Sequence, residues 1–281
     1  MTVVILDGKA TAEKIISALK VKVSALRKKP GLGIVTVGND SSSEIYVSGK
    51  VRACERVGMT AKRIVLDEDS TQDDVMNAID DLNQDRNVHG YIVQLPLPKQ
   101  IDASLVLDGI LPHKDADGFS PINMGNMMAG KNVLLPATPK GIIRLLDEYK
   151  IDVSGKHAVV VGRSNIVGKP IALLLQQRNA TVTMCHSMTK DLKKMTKQAD
   201  IIVSAAGKAG IIKANMVKKG AVVIDVGISK EGDTIQGDVD FEKVKKIASY
   251  ITPVPGGVGP MTVVMLLENT LECYNMSNMI D

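Results

Sequence analysis

The sequence has little of several features on which whole classes of protein depend. Aromatic residues make up 2% of its 281 residues and tryptophan is absent, so the core must be mainly aliphatic. The net charge is +4, from 35 basic and 31 acidic residues, and the basic residues do not cluster with aromatic ones as in a nucleic-acid groove. No uncharged apolar run reaches the roughly 20 residues that a membrane helix needs. We therefore expect a soluble globular protein with neither a nucleic-acid nor a membrane partner.

Cysteine is also scarce. Cys54, Cys185 and Cys273 are odd in number, lie far apart and form no CxxC or Cys/His pattern. This spacing argues against a disulfide framework and against a zinc site, and we expect no metal. The N-terminus lacks the basic stretch, apolar segment and cleavage site of a secretion signal. Together these features predict a protein of the reducing cytoplasm.

The order of apolar segments predicts an α/β protein with two lobes, as a length of 281 residues also favours. Strand-like and helical segments alternate near the N-terminus, which is typical of a mostly parallel sheet, and predict an α/β domain over residues 1–118. A second alternation runs through KHAVVV, PIALLLQQR, ATVTMC, ADIIVSAA and AVVIDV. It predicts a Rossmann-like domain over residues 119–259, including an inter-lobe segment near 119–141 where periodicity fades. An apolar helix over 260–281 is expected to pack back on the first domain.

The string VVVGRSNIVGKP follows a predicted strand and leads into a predicted helix. This places Gly162 at a tight turn and Gly168 at a close approach, with Arg163 and Ser164 between them. Backbone amides in such a turn would face an anion. The spacing is not GxGxxG, and a glycine turn between strand and helix is also common as plain architecture. The turn alone therefore leaves phosphate binding open.

The end of the next strand favours NADP over NAD. An NAD-binding domain has a carboxylate there, which accepts from the ribose 2′-hydroxyl. This chain has Cys185, His186 and Ser187 instead, and Arg163 lies in the preceding turn. A 2′-phosphate would meet a guanidinium and a hydroxyl rather than a repelling carboxylate. His186 is better explained as a structural histidine than as a catalytic one.

The candidate chemical site lies in the N-terminal domain. Tyr46 and Lys50 are four residues apart on a predicted helix, so both side chains leave the same face. Such pairs are also ordinary on surface helices. Gln94 ends an apolar strand and precedes two prolines, at the strand end where parallel α/β sheets bind ligands. A strand-end glutamine that only bonds a loop is an equal alternative.

Two further segments carry possible site residues. In KDADGF, Asp115 and Asp117 alternate, so at most one of them faces a given ligand, and turn chemistry is the plain alternative. The segment PVPGGVGPMT contains Gly256, Gly257 and Pro260. Its glycines would let backbone approach a flat ligand closely, although a simple turn before a helix would also use them.

Short strings along nearly the whole chain carry a family resemblance: DGK, YVSGK, YIVQLPLP, KDADGFSPIN, PATPKG, VVVGRSNIVGKP, TVTMCHS, DIIVSAAG, VVIDVGI, GDVD and TPVPGGVGPMT. In this order they resemble the bifunctional methylenetetrahydrofolate dehydrogenase/methenyltetrahydrofolate cyclohydrolase family. The resemblance implies a two-lobed homodimer with a folate substrate. It implies oxidation of 5,10-methylenetetrahydrofolate with NADP, then hydrolysis of the methenyl product to 10-formyltetrahydrofolate, with one cleft for both steps.

The resemblance also implies roles for individual residues. Lys50 is implied to be catalytic, Gln94 to tune it, Tyr46 to stack on the folate and Asp117 to hold the pterin, while Asp115 has no implied role. The implied contacts to the cofactor are Gly162, Arg163, Ser164, Gly168, Ser187 and the backbone around Ile228, and those to the substrate include Gly256, Gly257 and Pro260. The chain departs from the family at Ala137, where a PCTP segment often has cysteine. That departure touches no proposed catalytic group.

The chemistry agrees with these implied roles. Removing hydride from the methylene bridge leaves a methenyl cation, which a protonated lysine would destabilise, so we expect Lys50 to have a lowered pKa. Two alternatives remain at this point. One is a different NADP-dependent oxidoreductase with two lobes, and the other is a nucleotide-binding protein without catalysis. A nucleic-acid binder ranks third.

Overall fold

The computed structural model describes residues 2–38, 41–131, 133–231 and 234–280. The chain divides into two compact units, each described here by itself. We call residues 14–137 with 263–281 the three-stranded unit, and residues 1–13 with 138–262 the six-stranded unit. The name of each unit refers to its main sheet.

The elements follow one another in chain order as β1 (Val4–Ile5), α1 (Gly8–Ser24), β2 (Gly31–Val37), α2 (Ser41–Val57), β3 (Thr60–Leu66), α3 (Gln72–Gln84), β4 (Gly90–Val93), α4 (Ala103–Asp108), α5 (Pro121–Met128), α6 (Ala137–Glu148), β5 (His157–Val161), α7 (Gly168–Gln177), β6 (Thr181–Cys185), α8 (Leu192–Lys197), β7 (Ile201–Ser204), a 3-10 helix (Ala214–Met216), β8 (Val222–Asp225), β9 (Ser229–Glu231), β10 (Thr234–Gln236), α9 (Phe241–Val244), β11 (Tyr250–Ile251) and α10 (Val258–Ile280).

The three-stranded unit is built on a parallel sheet in the order β3-β2-β4. The central strand β2 is an apolar run buried along almost its whole length, as expected for a strand covered on both faces. The helix α3 buries Val75, Ile79 and Leu82 against this sheet and begins at a capping box in which Thr71 and Asp74 exchange hydrogen bonds. The sheet therefore has a rigid frame, and its strands end at one edge.

The last part of α10 belongs to the three-stranded unit. The Asn269 Nδ2 donates to the backbone oxygens of Ala116 at 2.8 Å and Leu135 at 2.9 Å. The rings of His89 and Tyr274 meet edge to face, with centroids 4.8 Å apart. The predicted return of the C-terminal helix to the first lobe is thus confirmed.

The six-stranded unit has a parallel sheet in the order β1-β11-β8-β7-β5-β6. Its core consists of strand residues such as Val159, Ile202, Val223 and Ile251, all fully buried. A short antiparallel hairpin, β9 with β10, lies outside this sheet. The predicted α/β architecture with a Rossmann-like second lobe is confirmed.

Two features differ from the sequence predictions. The segment 119–141 contains two helices, α5 and the start of α6, where fading periodicity had indicated an irregular crossing. The helix α5 forms because Ser120 caps it and a proline occupies its first turn. The compact units also differ from the predicted boundaries, since 1–13 falls with the six-stranded sheet and 119–137 with the three-stranded one.

In the part of the chain that the structure describes, no helix combines the length and apolarity needed to cross a membrane.

Candidate active site

A cluster of polar side chains lies at the carboxyl end of the three-stranded sheet. Gln94 follows β4 directly, and its backbone N–H donates to the Val35 oxygen at 2.8 Å. The segment with Asp117 runs beside β4, because Asp115 pairs with Tyr91 in parallel register. Lys50 projects from α2, the helix that follows β2. Three separate parts of the chain thus supply Lys50, Gln94 and Asp117.

A direct hydrogen bond joins two of these side chains. The Lys50 Nζ donates to the Gln94 Oε1 at 2.9 Å. The Gln94 Nε2 in turn donates to the Leu95 backbone oxygen at 2.9 Å. Since the amide nitrogen is held by a carbonyl, the amide oxygen must face the lysine. Gln94 therefore orients the amine without adding a charge to the site.

The surroundings of Lys50 and Asp117 favour neutral forms of both groups. Burial lowers the pKa of Lys50, and the Asp117 carboxylate opposes this only in part. Burial raises the pKa of Asp117 to about 6, an effect that Lys50 opposes and Asp115 reinforces. Both directions follow from the cost of holding charge among protein atoms. The site thus contains an amine that gives up its proton more easily than a free lysine, as the sequence predicted.

Asp115 has a different environment from Asp117. Its fully buried carboxylate accepts from the Phe119 N–H at 3.1 Å, the Ser120 N–H at 2.8 Å and the Asn123 Nδ2 at 2.9 Å. These bonds tie down the turn that follows Asp117. Asp115 is therefore a structural group, and only one of the two alternating aspartates is left to meet a ligand.

Tyr46 lies one turn before Lys50 on α2 and remains 43% exposed. The helix is held to β3 by Arg63, whose guanidinium makes two bonds to the Glu44 carboxylate at 3.0 and 2.7 Å. An exposed ring beside a buried amine, on an anchored helix, is available to stack on a flat ligand.

The predicted cofactor turn in the six-stranded unit has a backbone that only glycine fits. Gly162 has a φ of +122°, and a Cβ on it would lie 2.2 Å from the Ala205 oxygen. A Cβ on Gly168 would lie 2.3 Å from the Gly162 oxygen. The turn after β5 and the start of α7 therefore pack too closely for a side chain at either position.

Ser164 has a second task in this turn. Its Oγ accepts from the N–H groups of Val167 and Gly168, each at 3.2 Å. These two amides of the helix start are therefore satisfied within the turn. The Ser164 hydroxyl hydrogen can still donate to a ligand, and the neighbouring Arg163 is exposed.

The ends of the neighbouring strands complete this region. The Gly162 N–H donates to the Cys185 oxygen at 2.9 Å, so the turn lies beside the end of β6. Ser187 follows β6 and is exposed. His186 Nδ1 accepts from the Met188 N–H at 3.2 Å, which fits a structural role. Ile228, after β8, is 45% exposed. No acidic residue occupies 185–190.

The glycine segment before α10 is tightly built. Gly256 has a φ of +106°, and its oxygen accepts from the Lys9 N–H at 3.0 Å. A Cβ on Gly257 would lie 2.5 Å from the Pro253 oxygen. Pro260 occupies the first turn of α10, where its missing N–H costs no helix bond. All these residues belong to the six-stranded unit.

Sequence reasoning missed two buried carboxylates near the cofactor turn. Asp225 ends β8, and Asp238 follows β10; both are almost fully buried. Each lies in a string that carried the family resemblance, VVIDVGI or GDVD, and each aspartate is next to a glycine or one residue from one. The sequence signal that could have identified this pair was an acidic residue at the end of an apolar strand.

Across the described ranges, no group of three or more His, Cys, Asp or Glu side chains has an arrangement that could hold a metal ion.

Comparison with known proteins matches both units of this chain. Residues 6–117 match the catalytic domain of tetrahydrofolate dehydrogenase/cyclohydrolase, and residues 136–278 match its NAD(P)-binding domain. The bifunctional protein FolD of Halalkalibacterium halodurans is 50% identical over 275 residues, which covers 97% of this chain and 99% of the relative.

Solved structures agree with these matches. The bifunctional FolD methylenetetrahydrofolate dehydrogenase/cyclohydrolase of Campylobacter jejuni superposes with a TM-score of 0.95 at 48% identity, covering 98% of this chain and 99% of that one. The methylenetetrahydrofolate dehydrogenase-cyclohydrolase (FolD) of Trypanosoma brucei, solved with NADP and an inhibitor, gives 0.95 at 38% identity and covers 98% of each chain.

Proposed function

The chain belongs to the tetrahydrofolate dehydrogenase/cyclohydrolase family, and we propose that its own residues carry both activities in the roles set out below. It is a bifunctional enzyme of one-carbon folate metabolism. It oxidises 5,10-methylenetetrahydrofolate with NADP and hydrolyses the methenyl product to 10-formyltetrahydrofolate. The hydrogen bond from Lys50 to Gln94 beside Asp117 is the observation that carries the assignment of roles.

Lys50 is the central catalytic group in this proposal. Burial lowers the pKa of Lys50 and so favours its neutral amine, which would leave the developing methenyl cation without a neighbouring positive charge. In the hydrolysis, a water molecule attacks the methenyl carbon, and the Lys50 amine removes a proton from that water. General-base assistance of this kind contributes typically about 100-fold to 10,000-fold. Gln94 keeps the lone pair of the amine aimed by holding one of its N–H bonds.

In the three-stranded unit, Asp117 and Tyr46 are proposed to hold the substrate. As a carboxylate, Asp117 accepts from the amino and ring N–H groups of the pterin, a paired recognition that favours the ionised form. The Tyr46 ring stacks on the folate. Gly256 and Gly257 offer backbone without side-chain bulk, which suits the approach of a flat ring, and Pro260 follows them in the first turn of α10.

The glycine turn fits NADP. Gly162 and Gly168 leave no room for side chains, so a pyrophosphate can lie directly on the turn. Arg163 and Ser187 are exposed, and residues 185–190 contain no carboxylate that would repel a 2′-phosphate. The bound cofactor supplies the hydride acceptor for the oxidation. The backbone around Ile228 is proposed to line the same site.

We also propose that the protein is a cytoplasmic homodimer. Cys54, Cys185 and Cys273 are all buried and none of the three is in a disulfide, which suits a reducing compartment. The dimer rests on the family resemblance. Light scattering of the purified protein tests it, because a monomeric mass at micromolar concentration would contradict it.

One assay tests the function and the central role together. Purified protein is mixed with methylenetetrahydrofolate and NADP, and the absorbances of NADPH and of the methenyl folate are followed. Wild type should form NADPH and clear the methenyl folate, whereas Lys50→Met should lose the clearance. Lys62→Met is the matched control, since Lys62 is a half-exposed lysine of the same unit that pairs with Asp85.

The outcomes separate the alternatives. If folded wild type forms no NADPH with NADP or NAD, the folate assignment fails and a different substrate must be sought. If wild type is active and Lys50→Met clears methenyl folate as fast as Lys62→Met, the function stands but Lys50 is not its base. A nucleotide-binding protein without catalysis would bind NADP and show neither absorbance change.

A further inference from the structure

Two buried carboxylates lie behind the cofactor turn and do not take part in the chemistry. The Asp238 Oδ2 accepts from the Ser204 Oγ at 2.9 Å and from the Ala206 N–H at 2.7 Å, and its Oδ1 accepts from the Lys208 N–H at 2.8 Å. All three donors belong to the end of β7 and the loop after it. One carboxylate thus holds the whole start of this loop.

Asp225 does the same for the neighbouring strand. Its Oδ1 accepts from the N–H groups of Gly227 at 3.1 Å and Asp238 at 2.9 Å, and its Oδ2 accepts from the Val239 N–H at 2.9 Å. It therefore shapes the turn before Ile228 and fixes the backbone that carries Asp238. The two acids form one connected unit, which we call the carboxylate clamp.

The backbone around the clamp leaves no room for side chains. A Cβ on Gly227 would lie 1.9 Å from the Asp238 Oδ1, and one on Gly237 would lie 2.0 Å from the Asp225 Oδ2. Burial raises the pKa of Asp225 to about 7, although its backbone donors oppose this. Such a buried acid pair costs free energy and needs a compensating benefit.

Ala205 connects the clamp to the cofactor turn. The Ala205 N–H donates to the Val161 oxygen at 2.7 Å, and the Ala205 oxygen lies where a Cβ on Gly162 would clash. Ser204 and Ala206, the residues on either side, are the ones that Asp238 holds. Movement of this loop would therefore shift the Ala205 oxygen that packs against Gly162 in the glycine turn.

We propose that Asp225 and Asp238 are positioning residues for the dinucleotide site, which they organise by holding the loops at 204–208 and 226–228. The proposal rests on the function proposed above. It assigns no contact between the acids and the cofactor. The benefit that offsets two buried carboxylates is a preformed surface for NADP rather than stability alone.

Asparagine is the sharpest replacement, because it keeps the shape of aspartate but turns one acceptor oxygen into an NH2 donor. At least one backbone N–H would then face another donor. Asp240→Asn is the matched control. Asp240 belongs to the same GDVD string, but its carboxylate pairs with Lys243 at the surface. The same chemical change is thus made two residues away, without touching the loops.

The experiment measures NADP affinity by calorimetry and, without cofactor, the hydrolysis of methenyltetrahydrofolate. For Asp238→Asn we expect the Kd for NADP to rise about tenfold or more, since a buried donor loses its acceptor. Hydrolysis should stay within about twofold of wild type, because the loop that Asp238 holds contains none of Lys50, Gln94 and Asp117. Asp240→Asn should match wild type in both readouts.

Each outcome decides the inference. A folded Asp238→Asn protein whose NADP affinity equals that of Asp240→Asn overturns it. An equal loss of both readouts also overturns it, because the clamp would then only stabilise the fold. If Asp238→Asn does not fold, Ser204→Ala, which removes one hydroxyl donor, decides by the same two readouts. Wild type that neither binds NADP nor hydrolyses the substrate would refute the proposed function instead.

Discussion

The chemical site and the cofactor site of this protein are made in opposite ways. The proposed chemical site uses the side chains of Lys50, Gln94 and Asp117, which three separate segments bring to one edge of the three-stranded sheet. Gly162 and Gly168 act through the absence of a side chain in one continuous turn. The first site depends on the chemical groups of its side chains, and the second depends on a stretch of backbone without side chains. Substitutions should therefore damage the two activities separately.

The largest effect is expected from Gly168→Ala. The added Cβ would lie 2.3 Å from the Gly162 oxygen, so the turn must move. We expect oxidation with NADP to fall about 100-fold or more, as for a misplaced binding group, while hydrolysis of methenyltetrahydrofolate persists. Steady-state rates of both reactions check this. Gly125→Ala is the control, since its Cβ would meet nothing within 4 Å. Equal loss of both activities would contradict the separation.

The next effect concerns the chemical site. Gln94→Ala leaves Lys50 without the acceptor that orients it, and we expect hydrolysis to fall about tenfold to 100-fold, as for other lost orienting partners. NADP affinity should be unchanged. Gln100→Ala is the matched control, because the Gln100 side chain donates to the backbone oxygens of Glu68 and Ser70 at the surface. Hydrolysis at the control rate would remove the positioning role of Gln94.

A smaller effect should appear in cofactor choice. Ser187→Asp places a carboxylate after β6, where an NAD-binding domain has one. We expect the ratio of kcat/KM for NADP to kcat/KM for NAD to fall about tenfold, because the new carboxylate repels the 2′-phosphate. Repulsion between like charges across a site costs several kcal/mol at most. Ser187→Asn keeps the size without the charge and should leave the ratio near that of wild type. An unchanged ratio in Ser187→Asp would place the 2′-phosphate elsewhere.

The smallest effect is on stability. The pKa of Asp117 is about 6 in the folded protein, above its usual 3.8, so ionisation there is unfavourable. The stability contributed by the protonated acid is present below 3.8 and is lost as the pH rises through about 6. Asp117→Asn removes this cost and should raise the unfolding temperature at pH 8 by a few degrees. The gain should vanish near pH 4, and thermal scans of both proteins at pH 4 and pH 8 will check this. A lower unfolding temperature for Asp117→Asn than for wild type at pH 8 would contradict the burial of this charge.

The same ionisation predicts how activity depends on pH. In the proposed mechanism, hydrolysis needs a neutral Lys50 and an ionised Asp117, and both requirements fail as the pH falls. The wild-type rate should therefore drop on the acid side, through about 6 for Asp117. A rate that is flat from pH 8 to pH 5 would show that neither group titrates in the reaction.

The two regions also differ in how far the sequence predicts them. Local pattern was sufficient for the strands, because runs such as GLGIVTV and HAVVV are buried on both faces and have no other favourable place. It was also sufficient for the glycine turn, where one continuous segment carries the whole signal. Local pattern failed for α5, because its methionines, asparagines and glycine show no clear helical period. The helix begins nevertheless, since Ser120 caps it and Pro121 occupies its first turn.

The sequence by itself determined the α/β class, the glycine turn and, through family resemblance, the residues expected to act. Only the tertiary structure decided which atoms meet. It alone places Lys50 on the Gln94 oxygen, gives Asp115 a structural role and interlocks Asp225 with Asp238 across 13 residues of chain. The physical reason is that burial and hydrogen bonding depend on neighbours distant in sequence. The spacing of residues in the sequence does not show how far a side chain is buried away from water.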